Sequence, residues 1–260
     1  MTQVERMLPL YEAKMVHHFD PQWATFEDGD FRDVNRQEKG VSEFRPLPRY
    51  WVREDLVDGA LGGSEGWLLG MRGITNSTNE RTVVVSMFPR AGAGNSLPVI
   101  KGARHSWALA AVLSSFVLDF IARPKVGGSN LNFFIANQFA VPSPSEMSGP
   151  ALWSSPGDPL NEWLARRARN LSTTTGWGVT PRDRIRAEID SALFHLYEVE
   201  RDDVDYIMEA FPIAKRKDIA AHGEYRTKRL ILETYDAMTQ AIQTGVPYES
   251  PFDDLLTEGN

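Results

Sequence analysis

The chain has 260 residues, no cysteine and a formal net charge of −7, with 42% hydrophobic and 24% charged residues. This composition is ordinary for a globular protein and allows one large domain or two small ones. The lack of cysteine excludes disulfides, thiolate metal sites and cysteine nucleophiles, and it fits a reducing cytoplasm. The longest apolar run, residues 107–122, is shorter than the ~20 residues of a membrane-spanning helix, and the N-terminus lacks a signal-peptide pattern. We therefore expect a cytoplasmic protein that does not cross a membrane.

The negative charge is distributed unevenly along the chain. Residues 1–44 contain five Lys or Arg and nine Asp or Glu, whereas residues 45–135 contain ten and six. The remaining residues contain thirteen and twenty. The middle of an acidic chain is thus locally basic. Such a window suits a nucleic-acid partner, and it is equally ordinary for a solvated protein surface.

The first part of the chain is predicted to be extended, with one charged loop. Residues 7–19 intersperse polar and apolar side chains and predict an extended segment that enters a sheet. Residues 27–46 are charged and contain two glycines, which favours an exposed loop. Residues 45–52 place two prolines at alternate positions, which is typical of a sheet edge. Residues 54–61 predict a short helix that ends at the glycine pair after it.

Two apolar runs, residues 67–74 and 82–88, predict two strands. Between them lies the sequence TNSTNER, residues 75–81, which we call the polar loop. A hairpin needs only two to five turn residues, and almost any Asn or Gly serves in them. The amides, hydroxyls and arginine of the polar loop therefore call for an explanation. A glycine-rich loop is expected at residues 89–95.

Residues 106–122 predict one long helix, with Ser106 as its N-cap. The sequence RPKVGGSN at residues 123–130, which we call the basic turn, follows this helix. An apolar run then occupies residues 131–141. Residues 142–150 are rich in proline and serine, and we take them as the boundary between two halves of the chain.

The second half is predicted to be helical. One helix begins at Pro159 after an Asp158 cap, and a second begins at Pro181 after a Thr180 cap. A third begins near Asp202, and a fourth covers about residues 223–243 before a glycine. The sequence therefore predicts an α+β fold. We expect a mixed, sheet-rich domain with one long helix at residues 1–145 and a helical segment at residues 146–260.

Most enzyme motifs are missing from the sequence. It contains no phosphate-binding loop and no dinucleotide fingerprint. His17, His18 and Asp20 suggest a metal site, but adjacent residues of a strand point to opposite faces, so both histidines cannot easily bind one ion. A nuclease would have to use scattered acids such as Asp20, Asp28 and Asp30, and no Glu-x-Lys follows them at strand spacing. No enzyme class is supported by a set of residues with the required spacing.

The polar loop has side chains of the type that contact DNA. Arginine pairs bidentately with guanine and asparagine with adenine, while hydroxyls and amides bind phosphates. The loop supplies Asn76, Asn79 and Arg81. In a purely structural interpretation, the two asparagines supply a turn and Arg81 pairs with Glu80 or Asp58 on a solvated edge. Residue chemistry alone leaves both interpretations open.

Four stretches of the sequence resemble a known family. They are LPLYEAKMVHHFDPQWATF, WLLGMRGITNSTNERTVVVSMFPRAGAGNSLPV, FVLDFIARPKVGGSNLNFFIANQFAVPSPSE and the helical sequence that begins RAEIDSALFHLYEVERDDVDYI. They are similar to the C-terminal target recognition region of Eco57I-like (type IIG-like) bacterial adenine-specific DNA methyltransferases of restriction-modification or phage-defence systems. The third stretch also resembles a recognition domain of type I specificity subunits, where a helix, a basic turn, a strand and a Pro-x-Pro run follow one another.

The family's catalytic motifs do not occur in this chain. Asp20-Pro21 and Asp158-Pro159 are its only Asp-Pro pairs, and neither continues into the Pro-Tyr or Pro-Phe of the adenine-binding motif. The glycine-rich turn for S-adenosylmethionine is missing as well. The resemblance thus implies an excised domain or a split specificity subunit that methylates nothing alone. We expect it to need no cofactor or metal of its own and to work with an S-adenosylmethionine-dependent methyltransferase domain or subunit.

The resemblance also implies that the partner is double-stranded DNA. The predicted DNA-binding residues are Lys14, Arg72, Asn76, Asn79, Arg81, Arg90, Arg123, Lys125 and Asn130. In this interpretation the polar loop faces the DNA, and the helical segment packs on the catalytic partner or bridges the DNA clamp. Two alternatives remain, namely a protein-interaction module whose basic middle binds an acidic partner and a nuclease-type subunit of the same system.

Overall fold

A computed structural model describes residues 5–62, 66–173, 181–253 and 256 of the chain. The chain divides into two compact units, each built from separate segments. Unit 1 consists of residues 1–74, 84–103 and 172–180, and unit 2 consists of residues 75–83, 104–171 and 181–260. The expected boundary at residues 145/146 does not coincide with this division. Residues before 146 belong to both units, because the predicted long helix and the polar loop are part of the helical unit.

Unit 1 contains short strands in three small sheets. In chain order the strands are β1 (Met7–Tyr11), β2 (Ala24–Glu27), β3 (Asp30–Asp33), β4 (Tyr50–Arg53), β5 (Trp67–Met71), β6 (Val85–Pro89), β7 (Gly92–Ala93) and β8 (Val99–Ile100). The sheets have the orders β4-β1-β7, β2-β3 and β6-β5-β8. β1 pairs antiparallel with β4 and parallel with β7, so its sheet is mixed. Two helices, α1 (Arg36–Lys39) and α2 (Glu54–Leu61), complete the unit.

The two apolar runs on either side of the polar loop form neighbouring strands, as the sequence predicts. β5 and β6 are antiparallel, with Trp67 opposite Pro89 and Met71 opposite Val85. Leu68 and Phe88 are both buried in a core cluster that includes Tyr11 and Val16. Gly70 allows this packing, because a Cβ at its position would lie only 2.8 Å from the Phe88 ring. The apolar pattern therefore identified both strands correctly.

Two predictions for the first part of the chain need correction. The extended segment expected at residues 7–19 ends at Tyr11, and a 3-10 turn follows at Ala13–Met15. The charged residues 27–46 do not form one loop, because β2 and β3 make a hairpin and α1 follows it. Asn35 begins α1 by accepting hydrogen bonds from the amides of its first turn. The predicted helix at residues 54–61 is confirmed as α2.

Unit 2 is helical. Its helices are α3 (Ser106–Ser114), α4 (Phe116–Ala122), α5 (Phe133–Ala136), α6 (Pro144–Met147), α7 (Leu160–Thr173, whose last two residues belong to unit 1), α8 (Arg182–Leu196), α9 (Arg201–Glu209), α10 (Pro212–His222) and α11 (Arg226–Thr244). α11 packs along α8 and contacts α9. Ile185, Ile189 and Leu193 lie at helical spacing on α8 and are fully buried, as their sequence pattern predicts. The α+β class is therefore confirmed.

The long helix predicted at residues 106–122 is broken. Ser115 is extended and caps α4, since its hydroxyl accepts a hydrogen bond from the Leu118 amide, whereas Ser106 is the first residue of α3 and not its cap. No single helix in the described ranges is long and apolar enough to cross a membrane. Only α3 with the segment Phe116–Lys125 meets that test as a pair, and the two are bent by 67°.

Three other local predictions have mixed outcomes. Residues 131–141 contain α5, whereas the family resemblance implies a strand there. α10 was not predicted, because residues 212–222 lie between the third and fourth predicted helices. The N-cap expected at Thr180 lies outside the described residues. The predicted end of the last helix is confirmed, since Gly245 adopts a φ of 70° directly after α11.

Asp190 on α8 makes the stability of unit 2 depend on pH. Burial raises the pKa of this carboxyl to about 6, against the opposing effects of the Arg81 charge and of the hydrogen bond from the Phe116 amide. The folded chain therefore binds the Asp190 proton more tightly than the unfolded chain does. This contribution to stability is complete below pH 4 and is lost as the pH rises through 6.

The substitution Asp190→Asn should therefore have a more favourable effect on the stability of the chain at neutral pH than in acid. Asparagine keeps an acceptor for the Phe116 amide and carries no charge to desolvate. We expect the difference in unfolding free energy, variant minus wild type, to grow by about 2–3 kcal/mol between pH 4 and pH 7.5. Urea unfolding at a series of pH values measures this difference. A difference that stays constant or shrinks as the pH rises contradicts the assignment.

Candidate functional site

The polar loop is a compact structure held by its own hydrogen bonds. Thr75 is buried, and its hydroxyl donates to the carbonyl of Thr82 at 2.5 Å. The Asn76 side chain accepts hydrogen bonds from the backbone amide and the hydroxyl of Thr78, both at 2.9 Å. The backbone amide of Asn79 donates to the backbone carbonyl of Asn76 at 3.1 Å. Asn76 and Asn79 are both exposed. The loop therefore holds two amide side chains at the surface on an ordered backbone.

Arg81 points into the interior of unit 2. Its side chain is only 11% exposed and its Nε lies 2.7 Å from the Asp119 carboxylate. Its Nη2 donates to the carbonyls of Ser114 and Ser115 at the break between α3 and α4, and its guanidinium lies 4.1 Å from the centre of the Phe116 ring. Arg81 is thus committed to internal contacts, and we remove it from the predicted DNA-binding residues. The structural interpretation correctly predicted an ion pair for Arg81, but its partner is Asp119 and not Glu80 or Asp58.

Arg123 also has a structural role. Its Nη2 donates to the carbonyls of Asn79 and Glu80 at 3.0 and 2.7 Å, and its Nη1 donates to the Ala210 carbonyl. Its Nε lies 3.3 Å from the same Asp119 carboxylate that binds Arg81. Arg123 therefore fixes the polar loop to the chain just before α10, and we remove it too from the predicted DNA contacts.

The basic turn packs beside the polar loop. The carbonyl of Ser129 accepts a hydrogen bond from the Thr75 amide at 3.0 Å. Val126 in the turn and Leu131 directly after it are buried and anchor it at two points, whereas Lys125 and Asn130, each adjacent to one of them, are exposed. The structure therefore brings Asn76, Asn79, Lys125 and Asn130 into one unit, on two segments joined by hydrogen bonds, with their side chains at the surface.

α10 adds cations that the sequence analysis missed. Lys217 is 66% exposed, and its Nζ lies 2.5 Å from the Glu80 carboxylate of the polar loop. Arg216 is exposed next to it, and Lys215 pairs with Glu209 at 2.6 Å. The Lys-Arg-Lys run of residues 215–217 was the available signal, but without α10 nothing connected it to a loop about 135 residues earlier. We call the polar loop, the basic turn and α10 together the loop–turn surface.

The other three predicted residues belong to unit 1. Arg72 donates to the Val16 carbonyl from both Nε and Nη2, at 3.0 and 2.5 Å, and burial lowers its pKa. Arg90 pairs with Glu54 at 3.1 Å and with Asp58. Lys14 is 64% exposed and lies 3.5 Å from Asp30. All three are thus engaged in contacts within unit 1, and Lys14 alone among them has a largely exposed side chain.

The acids of the nuclease alternative do not form a metal site. The Asp20 carboxylate is buried in an ion pair with Lys39 at 2.6 Å and accepts a hydrogen bond from the Gln22 amide. A cavity of about 180 Å³ opens beside this pair, but the two charges neutralise each other. Asp30 is engaged with Lys14. Within the described ranges, no group of three or more His, Asp or Glu side chains is arranged to hold a metal ion.

Comparisons with known proteins do not assign a function to this arrangement. No protein-family model, no curated protein and no solved structure matches the chain. The resemblance to the recognition region of adenine methyltransferases therefore stays a prediction.

Proposed function

We propose that the chain is a DNA recognition module and that the loop–turn surface of unit 2 binds double-stranded DNA. The observation that carries this proposal is that three exposed amide side chains, Asn76, Asn79 and Asn130, and the exposed Lys125 lie on two segments joined by a hydrogen bond. The Lys217–Glu80 ion pair joins α10 to the first of these segments. Amides contact base edges, and lysines bind phosphates. The net charge of −7 does not oppose this, because binding depends on the local potential.

The wider role rests on the family resemblance. In this proposal the chain supplies target specificity to an S-adenosylmethionine-dependent adenine methyltransferase domain or subunit of a restriction-modification or phage-defence system. The chain itself carries out no catalysis, and it acts in the cytoplasm, where its DNA substrate is present. The internal roles of Arg81 and Arg123 suit this function, since they hold the polar loop rigid before DNA arrives.

Variants of the loop–turn surface test the proposal. Asn79→Ala or Asn130→Ala should weaken binding to the preferred sequence by roughly 1–3 kcal/mol and relax specificity at one base pair. Lys125→Ala should weaken binding to all sequences. The plot of log affinity against log salt concentration should become shallower, with the size of its negative slope reduced by about 1. Fluorescence anisotropy with a random duplex library, at two salt concentrations, measures both effects.

The matched control is Arg229→Ala, which removes one positive charge from α11, where the arginine pairs with Glu224 and Glu233. This variant should bind DNA as the wild type does. If Lys125→Ala and Arg229→Ala reduce affinity equally, the binding reflects net charge and not the loop–turn surface. If the wild type does not bind DNA at low salt, the proposal fails.

One observation favours the alternative of a protein-interaction module. Phe133, Phe134 and Leu152 are large apolar side chains of unit 2 that are 66–76% exposed, and exposed apolar groups often mark interfaces with proteins. Binding to an acidic protein that does not weaken steeply with salt would favour this function. For the nuclease alternative, no site within the described residues supplies the metal.

A further inference from the structure

Two adjacent phenylalanines project from unit 2 directly after the basic turn. Phe133 is 69% and Phe134 is 76% exposed, and they form the first two residues of α5. Folding normally buries phenyl rings, so two neighbouring rings in water indicate a surface that has a ligand. No residue of α5 is buried. The helix therefore serves to present these rings and contributes little to the core.

The chain holds α5 in place at both sides. Leu131, two residues before Phe133, is 2% exposed and anchors the preceding segment in the core. The Asn132 side chain caps the helix by accepting a hydrogen bond from the Ile135 amide at 3.0 Å. After the helix, the Tyr197 hydroxyl donates to the Ala140 carbonyl at 2.5 Å. The rings thus project from an ordered segment, which lowers the entropic cost of using them for binding.

The charge around the rings indicates the chemistry of the ligand. Residues 120–145 contain no Asp or Glu, although the whole chain carries 35 of them. The same stretch contains the exposed Lys125 and the side-chain amides of Asn130, Asn137 and Gln138, while Arg123 is engaged in internal contacts. A ligand that combines negative charge with flat apolar groups fits this surface better than a neutral apolar ligand does. Nucleic acid has both properties, in its phosphates and in the faces of its bases.

The rings are also close to the proposed DNA contacts. Three peptide units separate Phe133 from Asn130, and they span at most about 11 Å. Base pairs in duplex DNA are about 3.4 Å apart. Phe133 therefore lies within a few base-pair steps of any base that Asn130 contacts. Proteins that bend DNA insert apolar side chains, phenylalanine among them, between base pairs next to their polar contacts.

We propose that Phe133 and Phe134 insert into the base stack of the DNA that unit 2 binds, and that they open one base-pair step beside the bases contacted by the basic turn. This inference rests on the proposed DNA-binding function. The inserted ring stacks on an exposed base face, while Lys125 holds a neighbouring phosphate. Recognition then depends on how easily a base-pair step opens as well as on the hydrogen-bonding groups of the bases. Flexible pyrimidine–purine steps are favoured.

The experiment compares the wild type with the double variant Phe133→Ala/Phe134→Ala on three duplexes of one sequence. One duplex is intact, one has a mismatch at the opened step, and one has 2-aminopurine there. The mismatched step is already open, so the wild type should bind that duplex on the order of 10-fold more tightly than the intact one. Wild-type binding should also raise 2-aminopurine fluorescence, because the base loses its stacked neighbour. The double variant should show neither effect.

Two further variants make the result specific to aromatic stacking. Phe133→Tyr/Phe134→Tyr keeps both ring faces and should restore the preference for the mismatch and the fluorescence change. Tyr206→Ala removes a ring that is 67% exposed on α9, among the acids Asp202, Asp203 and Asp205, and should behave as the wild type. Since all the replaced side chains are exposed, the variants should fold normally, and a thermal melt verifies this.

The possible outcomes separate this inference from the proposed function. If the wild type binds DNA with the expected salt dependence but shows neither mismatch preference nor fluorescence change, insertion is refuted and the recognition function survives. The same conclusion holds if the double alanine variant retains both effects. If the wild type binds none of the duplexes, both proposals fail, and the exposed rings are then best tested as a contact for another protein.

Discussion

Asp119→Asn should lower the free energy of unfolding by about 3–5 kcal/mol, because it leaves two largely buried arginines, 11% and 15% exposed, without their shared counter-charge. The Asp119 side chain is 0% exposed and lies 2.7 Å from Arg81 and 3.3 Å from Arg123. It also accepts the Thr82 amide at 3.0 Å. Asparagine retains one acceptor but no charge, so the attraction that offsets the burial of both guanidinium groups is lost.

Urea unfolding monitored by tryptophan fluorescence and by circular dichroism measures this effect. Asp236→Asn is the matched control, since Asp236 pairs with Arg201 at 2.8 Å and both side chains are about half exposed. An exposed pair of this kind contributes less than about 1 kcal/mol. If Asp119→Asn is no more destabilising than Asp236→Asn, the Arg81–Asp119–Arg123 arrangement does not hold unit 2 together.

This arrangement also explains why the sequence misassigned two arginines. Arg81 lies in a polar loop and Arg123 in a basic turn, and local composition makes each resemble a phosphate contact. Their common partner is 38 residues from the first and four from the second. The one available sign was Asp119 itself, as the single acid in the apolar run 107–122. A lone acid in such a run requires a buried cation, but composition does not tell which.

The correct predictions rest on local signals. β5 and β6 follow from short apolar runs, and α2 and α11 from glycines that adopt positive φ directly after each helix. The predicted DNA contacts Asn76, Asn79 and Asn130 are exposed, and their role stays a prediction. These features depend on residues within a few positions of one another, so the sequence is sufficient to find them.

The missed elements depend on contacts that are distant in the sequence. α10 has a weakly amphipathic sequence rich in cations, and none of its residues is buried. Distant contacts connect it to the polar loop, since Lys217 pairs with Glu80 and Ala210, just before the helix, accepts a hydrogen bond from Arg123. It also contacts α11, where the Thr227 amide donates to the Asp218 carboxylate at 2.6 Å. A proline after Phe211 was the only local sign of its start. The sequence therefore indicated which residue types occur on the candidate surface, but it did not show that α10 is part of that surface.

Glu188 is expected to be the second charged side chain on which the stability of unit 2 depends strongly. Its carboxylate pairs with Arg167 at 2.7 Å, and both side chains are at most 2% exposed. The hydroxyls of Tyr248 and Ser250 donate to its other oxygen at 3.0 and 2.6 Å. Glu188 thus connects α7, α8 and the segment after α11. The Arg167 guanidinium also lies 3.4 Å from the centre of the Trp163 ring.

Glu188→Leu should lower the free energy of unfolding by about 3–5 kcal/mol, because it removes the buried partner of Arg167 and leaves only the half-exposed carboxylate of Asp253, at 3.3 Å, as a counter-charge. Arg167→Met should have a cost of the same order, since it leaves the Glu188 carboxylate buried and without its cation. The double variant Arg167→Met/Glu188→Leu removes both charges and fills similar volume with apolar groups. It should be more stable than either single variant, because no uncompensated charge remains inside.

A double-mutant cycle in urea measures this coupling directly. A strongly favourable coupling, with the double variant closest to the wild type, is the expected result. Additive losses would mean that each side chain acts through its other contacts. These are the hydroxyls of Tyr248 and Ser250 for Glu188, and Trp163 and Asp253 for Arg167. In that case Tyr248→Phe and Ser250→Ala together should lower the free energy of unfolding almost as much as Glu188→Leu does. If the ion pair dominates, the two substitutions together should lower it by only about 1–3 kcal/mol.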